Sequence, residues 1–155
     1  MMTFEHPSEL AALSGRELGV SDWLEVPQDL IRRFAEVTGD WTWIHTDPER
    51  VRRELPGGTT IAHGYLTLSL VPSLMAQIYE VRRFGRIYNY GADRLRFIAP
   101  VPSGARIRLR LGLKAVEHRA DGGYKFTFAN VVEIEHREKP AARFEMLVLM
   151  YPTAF

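Results

Sequence analysis

The run from Gly64 to about Tyr79, GYLTLSLVPSLMAQIY, constrains the fold more than any other segment. It has apolar residues on every side and no charged side chain. Because a helix that is apolar all round must be buried, the run predicts a central helix wrapped by the rest of the chain. Pro72 lies inside it and is expected to kink the helix or distort its hydrogen bonding.

The second half of the chain supplies the surrounding layer. Apolar and charged residues alternate over positions 106–114, a period of two that a half-buried strand explains. The alternation recurs over 124–128, after an Asp-Gly-Gly turn, and over 144–150. With a further strand across Arg86 to Phe97, these segments predict an antiparallel sheet with one face packed on the apolar helix.

The first half is mainly helical. A helix is expected to begin at Pro27 and to stop at Gly39, with a core face formed by Leu30, Ile31, Phe34 and Val37. A short helix is also expected near Glu9 to Leu13, followed by an extended stretch around Leu18 to Val26. Asp47-Pro48-Glu49 is typical of a capped helix start, which predicts another short helix through Leu55. Residues 1–155 are therefore interpreted as one α+β domain.

Composition excludes several classes of protein. A formal net charge of +1 lacks the basic bias of a nucleic-acid binder. The chain has no run of about eighteen apolar residues that could span a membrane, and its start does not resemble a signal peptide. It has no cysteine, so no thiolate can act as a nucleophile or metal ligand. A cytoplasmic protein is expected, with neither a nucleic-acid nor a membrane partner.

Asp40 and His45 lie on one short loop between two predicted helices. Loops held by a rigid scaffold often carry catalytic groups, so the loop can turn a carboxylate and an imidazole inward as an acid-base pair. In the alternative interpretation, Asp40 caps a turn after Gly39 and His45 is a satisfied core histidine. The spacing alone favours this alternative.

Gly64 follows His63 at the start of the apolar helix. A residue without a side chain lets a ligand carbonyl approach the backbone, and a helix start offers N–H groups to a developing oxyanion. A glycine required for tight packing is an equal alternative.

His45-Thr46-Asp47 also fits the first part of a metal triad, with His63, His118 or His136 as the third ligand. Because Asp47 is better explained as a helix cap, neither a metal nor a cofactor is predicted. Arg106, Arg108 and Arg110 could grip phosphates, but alternating charge is typical of a solvated strand face.

The segment from Phe34 to Leu70 resembles the MaoC-type dehydratase and (R)-specific enoyl-CoA hydratase family, in particular its nodulation-protein-N-like branch. The resemblance continues through 89–97 and the Pro100-Val101-Pro102 turn, so it covers most of the chain. The quoted segment reads FAEVTGDWTWIHTDPERVRRELPGGTTIAHGYLTLSL.

The resemblance implies a hot-dog fold, in which a curved antiparallel sheet wraps a long central helix, and a homodimer with the active site near the interface. The family motif Gly-Asp-x-Asn-Pro-x-His places the catalytic residues at Asp40 and His45. Its Asn-Pro pair is replaced here by Thr42-Trp43. The family glycine matches Gly64, whose N–H would bind the thioester oxygen.

The implied activity is reversible addition of water to a trans-2-enoyl thioester of coenzyme A or an acyl carrier. Asp40 and His45 would share a water, one acting as base and the other as proton donor, and Trp41 and Trp43 would keep the pair dry. Residues expected to bind the substrate are Gly64, His63, Trp43, Tyr65 and Asn89.

Two other functions remain open. The same fold hosts thioesterases, which commonly place a carboxylate on the central helix or the facing strand. The first acid after Gly64 here is Glu80, at the far end of the run, which favours the hydratase. A non-catalytic protein that binds acyl thioesters is the third possibility, and the presence of both Asp40 and His45 argues against it.

Overall fold

The computed structural model describes residues 1–152, which form six helices and eight strands. The helices are α1 (Pro7–Ala11), α2 (Gln28–Thr38), α3 (Trp43–Thr46), α4 (Pro48–Glu54), α5 (Gly64–Ser69) and α6 (Val71–Met75). The strands are β1 (Met2–Phe4), β2 (Arg16–Val20), β3 (Leu24–Glu25), β4 (Tyr79–Val81), β5 (Arg86–Phe97), β6 (Arg106–His118), β7 (Tyr124–Ile134) and β8 (Ala142–Tyr151).

The main sheet is antiparallel and six-stranded, in the order β2-β6-β7-β8-β5, with β3 also paired to β6. Its inner face carries the alternating apolar residues that the sequence predicts, including Ile107, Leu109, Phe126 and Phe128, which are fully buried. The predicted strand across Arg86 to Phe97 is confirmed with the same bounds as β5. The α+β class is confirmed.

The central apolar segment differs from the single helix that the sequence predicts. It forms two helices, α5 and α6, that meet at Leu70, and Tyr79 already belongs to β4. Pro72 lies in the first turn of α6, where its missing N–H breaks no bond within that helix. The proline therefore starts a second helix and does not merely kink one.

The expectation that this segment is wrapped on every side is wrong for the single chain. Leu66, Val71 and Leu74 are buried against the sheet, whereas Tyr65 is 65% exposed. Ser69, Pro72 and Ser73 are also exposed along the helices. The sheet covers one side of the helices and leaves the other side open.

Helix α2 begins and ends as the sequence predicts, but its core face is narrower. Ile31 and Ala35 are buried, whereas Val37 is 87% exposed. Val37 lies in the last turn before Gly39, where no other element packs closely enough to cover it. No helix within residues 1–152 combines the length and the apolar character needed to cross a bilayer.

Candidate active site

The prediction that Asp40 and His45 share one loop holds only for Asp40, because His45 lies in the short helix α3. The segment from Gly39 to Asp47 that carries both residues is fixed at each end by a helix cap. Gly39 ends α2 in the left-handed conformation, with φ at 75°, and its N–H donates to Ala35 O at 2.8 Å. At the other end, Asp47 Oδ1 accepts the Arg50 N–H at 2.9 Å and so caps α4. The role predicted for Asp47 as a cap is confirmed, and the loop turns sharply between two anchored helices.

Thr42 holds the carboxylate of Asp40. The Thr42 hydroxyl donates to Asp40 Oδ1 at 2.6 Å, and the Thr42 backbone N–H donates to the same oxygen at 3.2 Å. Thr42 stands where the family motif has asparagine. In this chain a hydroxyl and a backbone N–H therefore orient the carboxylate of Asp40.

These bonds lower the pKa of Asp40, the Thr42 hydroxyl bond contributing most. The carboxylate is therefore ionised at neutral pH. The expectation that tryptophans keep this group dry is wrong for the single chain, because Asp40 is 49% exposed and Trp41 is 54% exposed.

His45 is partly buried and is held in one tautomer. Its Nδ1–H donates to Ile61 O at 2.6 Å, because a carbonyl oxygen can only accept, and this leaves a lone pair on Nε2. Gln28 Nε2 donates to His45 O at 2.7 Å and fixes the backbone. Burial lowers the pKa of His45, which keeps the imidazole neutral and basic at neutral pH.

His63 lies behind this pair and contacts both members. It is 3% exposed, its ring stacks on that of His45 with centroids 3.9 Å apart, and its Nε2–H donates to Asp40 O at 3.0 Å. Its buried Nδ1 has no hydrogen-bond partner within residues 1–152. The sequence predicts His63 as a substrate-binding residue, but it does not line the adjoining cavity. In the sequence, nothing about a histidine that precedes a helix start indicates that it will support Asp40 and His45 from behind.

The three side chains form one cluster. Asp40, His45 and His63 each offer a potential ligand atom, and these atoms lie within 4.8 Å of one another. One carboxylate and two imidazoles could hold a divalent transition metal. The cluster differs from the triad that the sequence suggests, because Asp47 caps α4 instead.

A cavity of about 250 Å³ opens beside the cluster and is lined by both His45 and Gly64. The Gly64 N–H starts α5 and has no acceptor within residues 1–152. The ring of Phe97 packs on Gly64, where an added Cβ would lie 2.8 Å from a ring carbon. Both interpretations of Gly64 are therefore supported, since it packs tightly and also presents a free N–H. Asp40 does not line this cavity.

Three other residues are predicted to bind the substrate. Trp43 and Tyr65 lie near the cluster, whereas Asn89 lies apart from it. Trp43 packs under the guanidinium of Arg50, 4.2 Å from the ring centroid. Tyr65 lies on the open side of α5, edge-on to Phe97. Asn89 lines a different, largely apolar cavity of about 410 Å³, together with Met75 and Met146.

Residues 9–133 match a family model described as MaoC like domain. Among curated proteins, the chain is 45% identical over 148 residues to the 3-hydroxyacyl-thioester dehydratase Z of Mycobacterium tuberculosis, covering 96% of this chain and 97% of the relative. It is 42% identical over 128 residues to nodulation protein N of Rhizobium leguminosarum bv. viciae, covering 82% and 80%.

Solved structures share the fold at low sequence identity. The MaoC-like dehydratase from Rhodospirillum rubrum superposes with a TM-score of 0.74 at 19% identity, covering 95% of this chain and 97% of that one. The (R)-hydratase from A. caviae gives a TM-score of 0.65 at 21% identity, with coverage of 83% and 94%. The HadBC complex of Mycobacterium tuberculosis gives 0.68 at 15% identity, with coverage of 84% and 93%. The hot-dog architecture is thereby confirmed.

Proposed function

The chain belongs to the MaoC-like dehydratase family, and on that premise we propose that it adds water reversibly to trans-2-enoyl thioesters. The observation that carries the proposal is the cavity shared by His45 and Gly64. It brings a basic imidazole and a free backbone N–H donor to one space, as attack on a polarised double bond requires.

His45 is the base in this reaction. Its Nε2 takes a proton from water while the water oxygen attacks C3 of the enoyl thioester, and the electrons of the double bond move to the thioester oxygen. The resulting enolate then collapses, and C2 takes the proton back from the imidazolium. The Nδ1–H bond to Ile61 O supports this role, because it reserves Nε2 for the proton transfer.

Asp40 acts as an ionised partner. Since its pKa is lowered, it is not the proton donor that the sequence interpretation requires of one member of the pair. A carboxylate oxygen of Asp40 lies within 4.8 Å of a ring nitrogen of His45, so it stabilises the imidazolium once His45 is protonated. General acid-base help of this type contributes about 10²–10⁴-fold to the rate.

The Gly64 N–H stabilises the enolate oxygen. A donor at a helix start is fixed before the reaction, so no reorganisation is needed when the charge develops. One such donor raises the rate about 10²–10³-fold, in addition to the contribution of acid-base catalysis. The ring of Phe97 fills the space over the Cα of Gly64, so the glycine contributes its N–H and not empty room.

The substrate class is supported by the relative that shares 45% identity, whose name specifies 3-hydroxyacyl thioesters. The cavity beside Met75 and Met146 offers apolar surface to an acyl chain, with Asn89 at its wall. We assign the (R) configuration to the hydrated product and coenzyme A to the carrier on the family resemblance, together with a cytoplasmic location and a single domain.

The assembly we propose is a homodimer through β5. This edge strand of the sheet is exposed at almost every position, on both faces, and carries Ile87, Tyr88 and Tyr90. A long exposed edge with an unpaired backbone ladder is normally blocked or covered in stable proteins. A second copy would cover it through an isologous contact.

The test is an assay on crotonyl-CoA that follows loss of the conjugated double bond and, separately, release of free thiol. We expect double-bond loss without thiol, and we expect Asp40→Asn and His45→Gln each to lower kcat/KM by at least about 10²-fold. His118→Gln, a histidine on the sheet away from the cluster, is the control and should retain wild-type activity. Thiol release by the wild type would indicate a thioesterase, and binding without turnover would indicate a non-catalytic protein.

A further inference from the structure

The amide side chain of Gln28, in the first turn of α2, connects two segments that are distant from it in sequence. Its Nε2–H donates to His45 O at 2.7 Å, and its Oε1 accepts the hydroxyl of Thr60. A backbone carbonyl oxygen can only accept, so the bond to His45 O fixes which end of the amide is the donor. Both polar atoms of the side chain are therefore used, in a single orientation.

The imidazole of His45 joins the same two segments a second time. Its Nδ1–H donates to Ile61 O at 2.6 Å, and the Ile61 N–H donates to Ile44 O at 3.1 Å. Thr60 and Ile61 are neighbours in the chain, so these bonds and the two bonds of the Gln28 amide form a closed ring. We call Gln28 and Thr60 the amide bridge. Because the ring is closed, the position of the imidazole relative to its acceptor depends on this bridge.

Both members of the amide bridge are anchored on the turn that precedes β6. Just ahead of Gln28, the Val26 N–H donates to Ala105 O at 2.9 Å, and the Ser103 N–H donates to Thr60 O at 2.8 Å. Thr60 is 2% exposed, and a buried hydroxyl is costly to leave without a partner, which favours its bond to the amide. None of these five residues lines the cavity of the candidate active site. The bridge therefore acts from outside the space that a substrate would occupy.

We propose that Gln28 and Thr60 are positioning residues that hold His45 in the Nδ1–H tautomer. The inference rests on the proposed function, in which Nε2 of His45 must keep a free lone pair to act as the base. Which ring nitrogen carries the proton is set by the hydrogen bond that the other nitrogen makes. The amide bridge fixes the backbone of His45 against the segment that carries Ile61 O, and so keeps this acceptor within reach of Nδ1.

The first test is the kinetics of hydration of crotonyl-CoA. Gln28→Leu removes both bonds of the amide and should lower kcat about 10- to 100-fold, since a small misplacement of a catalytic group is costly. KM should stay at the wild-type value, because Gln28 does not line the cavity. Thr60→Val removes only the hydroxyl and should give a smaller loss of kcat, whereas Thr60→Ser keeps the hydroxyl and should retain wild-type kcat. Thr59→Val makes the same change at the exposed neighbouring threonine and is the matched control.

A double variant tests whether the two residues act in series. Because Thr60 acts on His45 through Gln28, Gln28→Leu/Thr60→Val should lose no more kcat than Gln28→Leu alone. Losses that multiply would show that the two residues act independently and would overturn the bridge. A raised KM at unchanged kcat would make Gln28 a substrate contact and would overturn its positioning role. Thermal unfolding checks that each variant is folded at the assay temperature.

Nuclear magnetic resonance of the imidazole nitrogens tests the inference without turnover. The histidines are labelled with nitrogen-15, and the His45→Gln variant identifies the signals of His45. At a pH where His45 is neutral, the wild type should show a protonated Nδ1, and Gln28→Leu should shift part of the population to the Nε2–H tautomer. An unchanged tautomer in Gln28→Leu would overturn the inference. A wild type that has the expected tautomer and binds crotonyl-CoA without hydrating it would overturn the proposed function instead.

Discussion

Thr42 shows how one residue resolves a departure from the family motif. The motif places an asparagine where this chain has threonine, and the sequence does not say what then holds the loop. The Thr42 hydroxyl and N–H both bond Asp40 Oδ1. The carboxylate is therefore oriented within the loop itself, at the cost of making it a poor proton donor.

The pKa of His45 sets the expected pH dependence of activity. Burial lowers it below the ordinary value of 6.5. The pH profile of kcat/KM reports groups of the free enzyme. Its acid limb should therefore lie at a lower pH than the limb that an exposed histidine would give. The measurement is a pH-rate profile on crotonyl-CoA, with activity retained at pH 6.5 and lost further down.

The lowered pKa of His45 also makes the free energy of unfolding depend on pH. A histidine that stays neutral in the folded state contributes stability that is fully present above pH 6.5 and is lost as pH falls through the folded pKa. An acid limb above 6.5 would contradict this account, because it would mean that the neighbouring carboxylate outweighs burial.

His63 is predicted to position the pair. His63→Phe keeps a ring against His45 but removes the donor to Asp40 O, so we expect kcat to fall about 10- to 100-fold. KM should change little, because His63 does not line the cavity.

His63→Gln is the matched variant for this prediction, because its amide N–H can reach the same carbonyl oxygen. It should recover most of kcat, and thermal unfolding of both variants checks the fold. Equal losses in the two variants would assign the effect to ring stacking, against the hydrogen bond proposed here.

Gly64 links the first turn of α5 to strand β5. In Gly64→Ala the new Cβ would meet the ring of Phe97, which must move into the cavity or away from the helix. We expect kcat/KM on crotonyl-CoA to fall at least about tenfold, together with a lower thermal stability, because the Cβ would lie 2.8 Å from the ring.

Phe97→Ala in the same chain separates the two interpretations of Gly64. If the ring is the obstacle, the double variant should regain activity relative to Gly64→Ala. No recovery would mean that the added methyl group itself blocks the thioester carbonyl.

At the scale of elements, the strands were predictable and the helices only in part. Period-two alternation is a local signal, so β6, β7 and β8 could be predicted from the chain alone. The division of the central segment at Leu70 could not, because Pro72 is compatible both with a kink and with a new helix start. The exposure of Val37 depends on which elements pack nearby, which helical spacing does not encode.

The candidate site was predictable as a set of residues but not as a mechanism. Asp40 and His45 follow from the motif, and they do lie together in the structure. The motif carries no information on the buried His63 behind them, on the lowered pKa of Asp40, or on the separate cavity that holds Asn89. These depend on segments distant in sequence.

At the scale of the whole molecule, a single chain leaves apolar residues exposed over one continuous surface. The open side of α5, the exposed strand β5 and the rim of the cavity at Phe97 and Ile98 lie next to one another. The apolar residues exposed there would be costly in a monomer. A dimer that covers β5 would also complete the wall of the site, which links assembly to activity.

The dimer is tested by Tyr90→Lys. Tyr90 is 59% exposed near the middle of β5, so a lysine there brings like charges together across an isologous contact. Light scattering should show a dimeric wild type and a variant with at least about tenfold weaker association and reduced turnover. Val37→Lys, which changes an exposed apolar residue on α2, should remain dimeric and active. A wild type that is monomeric at micromolar concentration, yet fully active, would show that the site is complete within one chain.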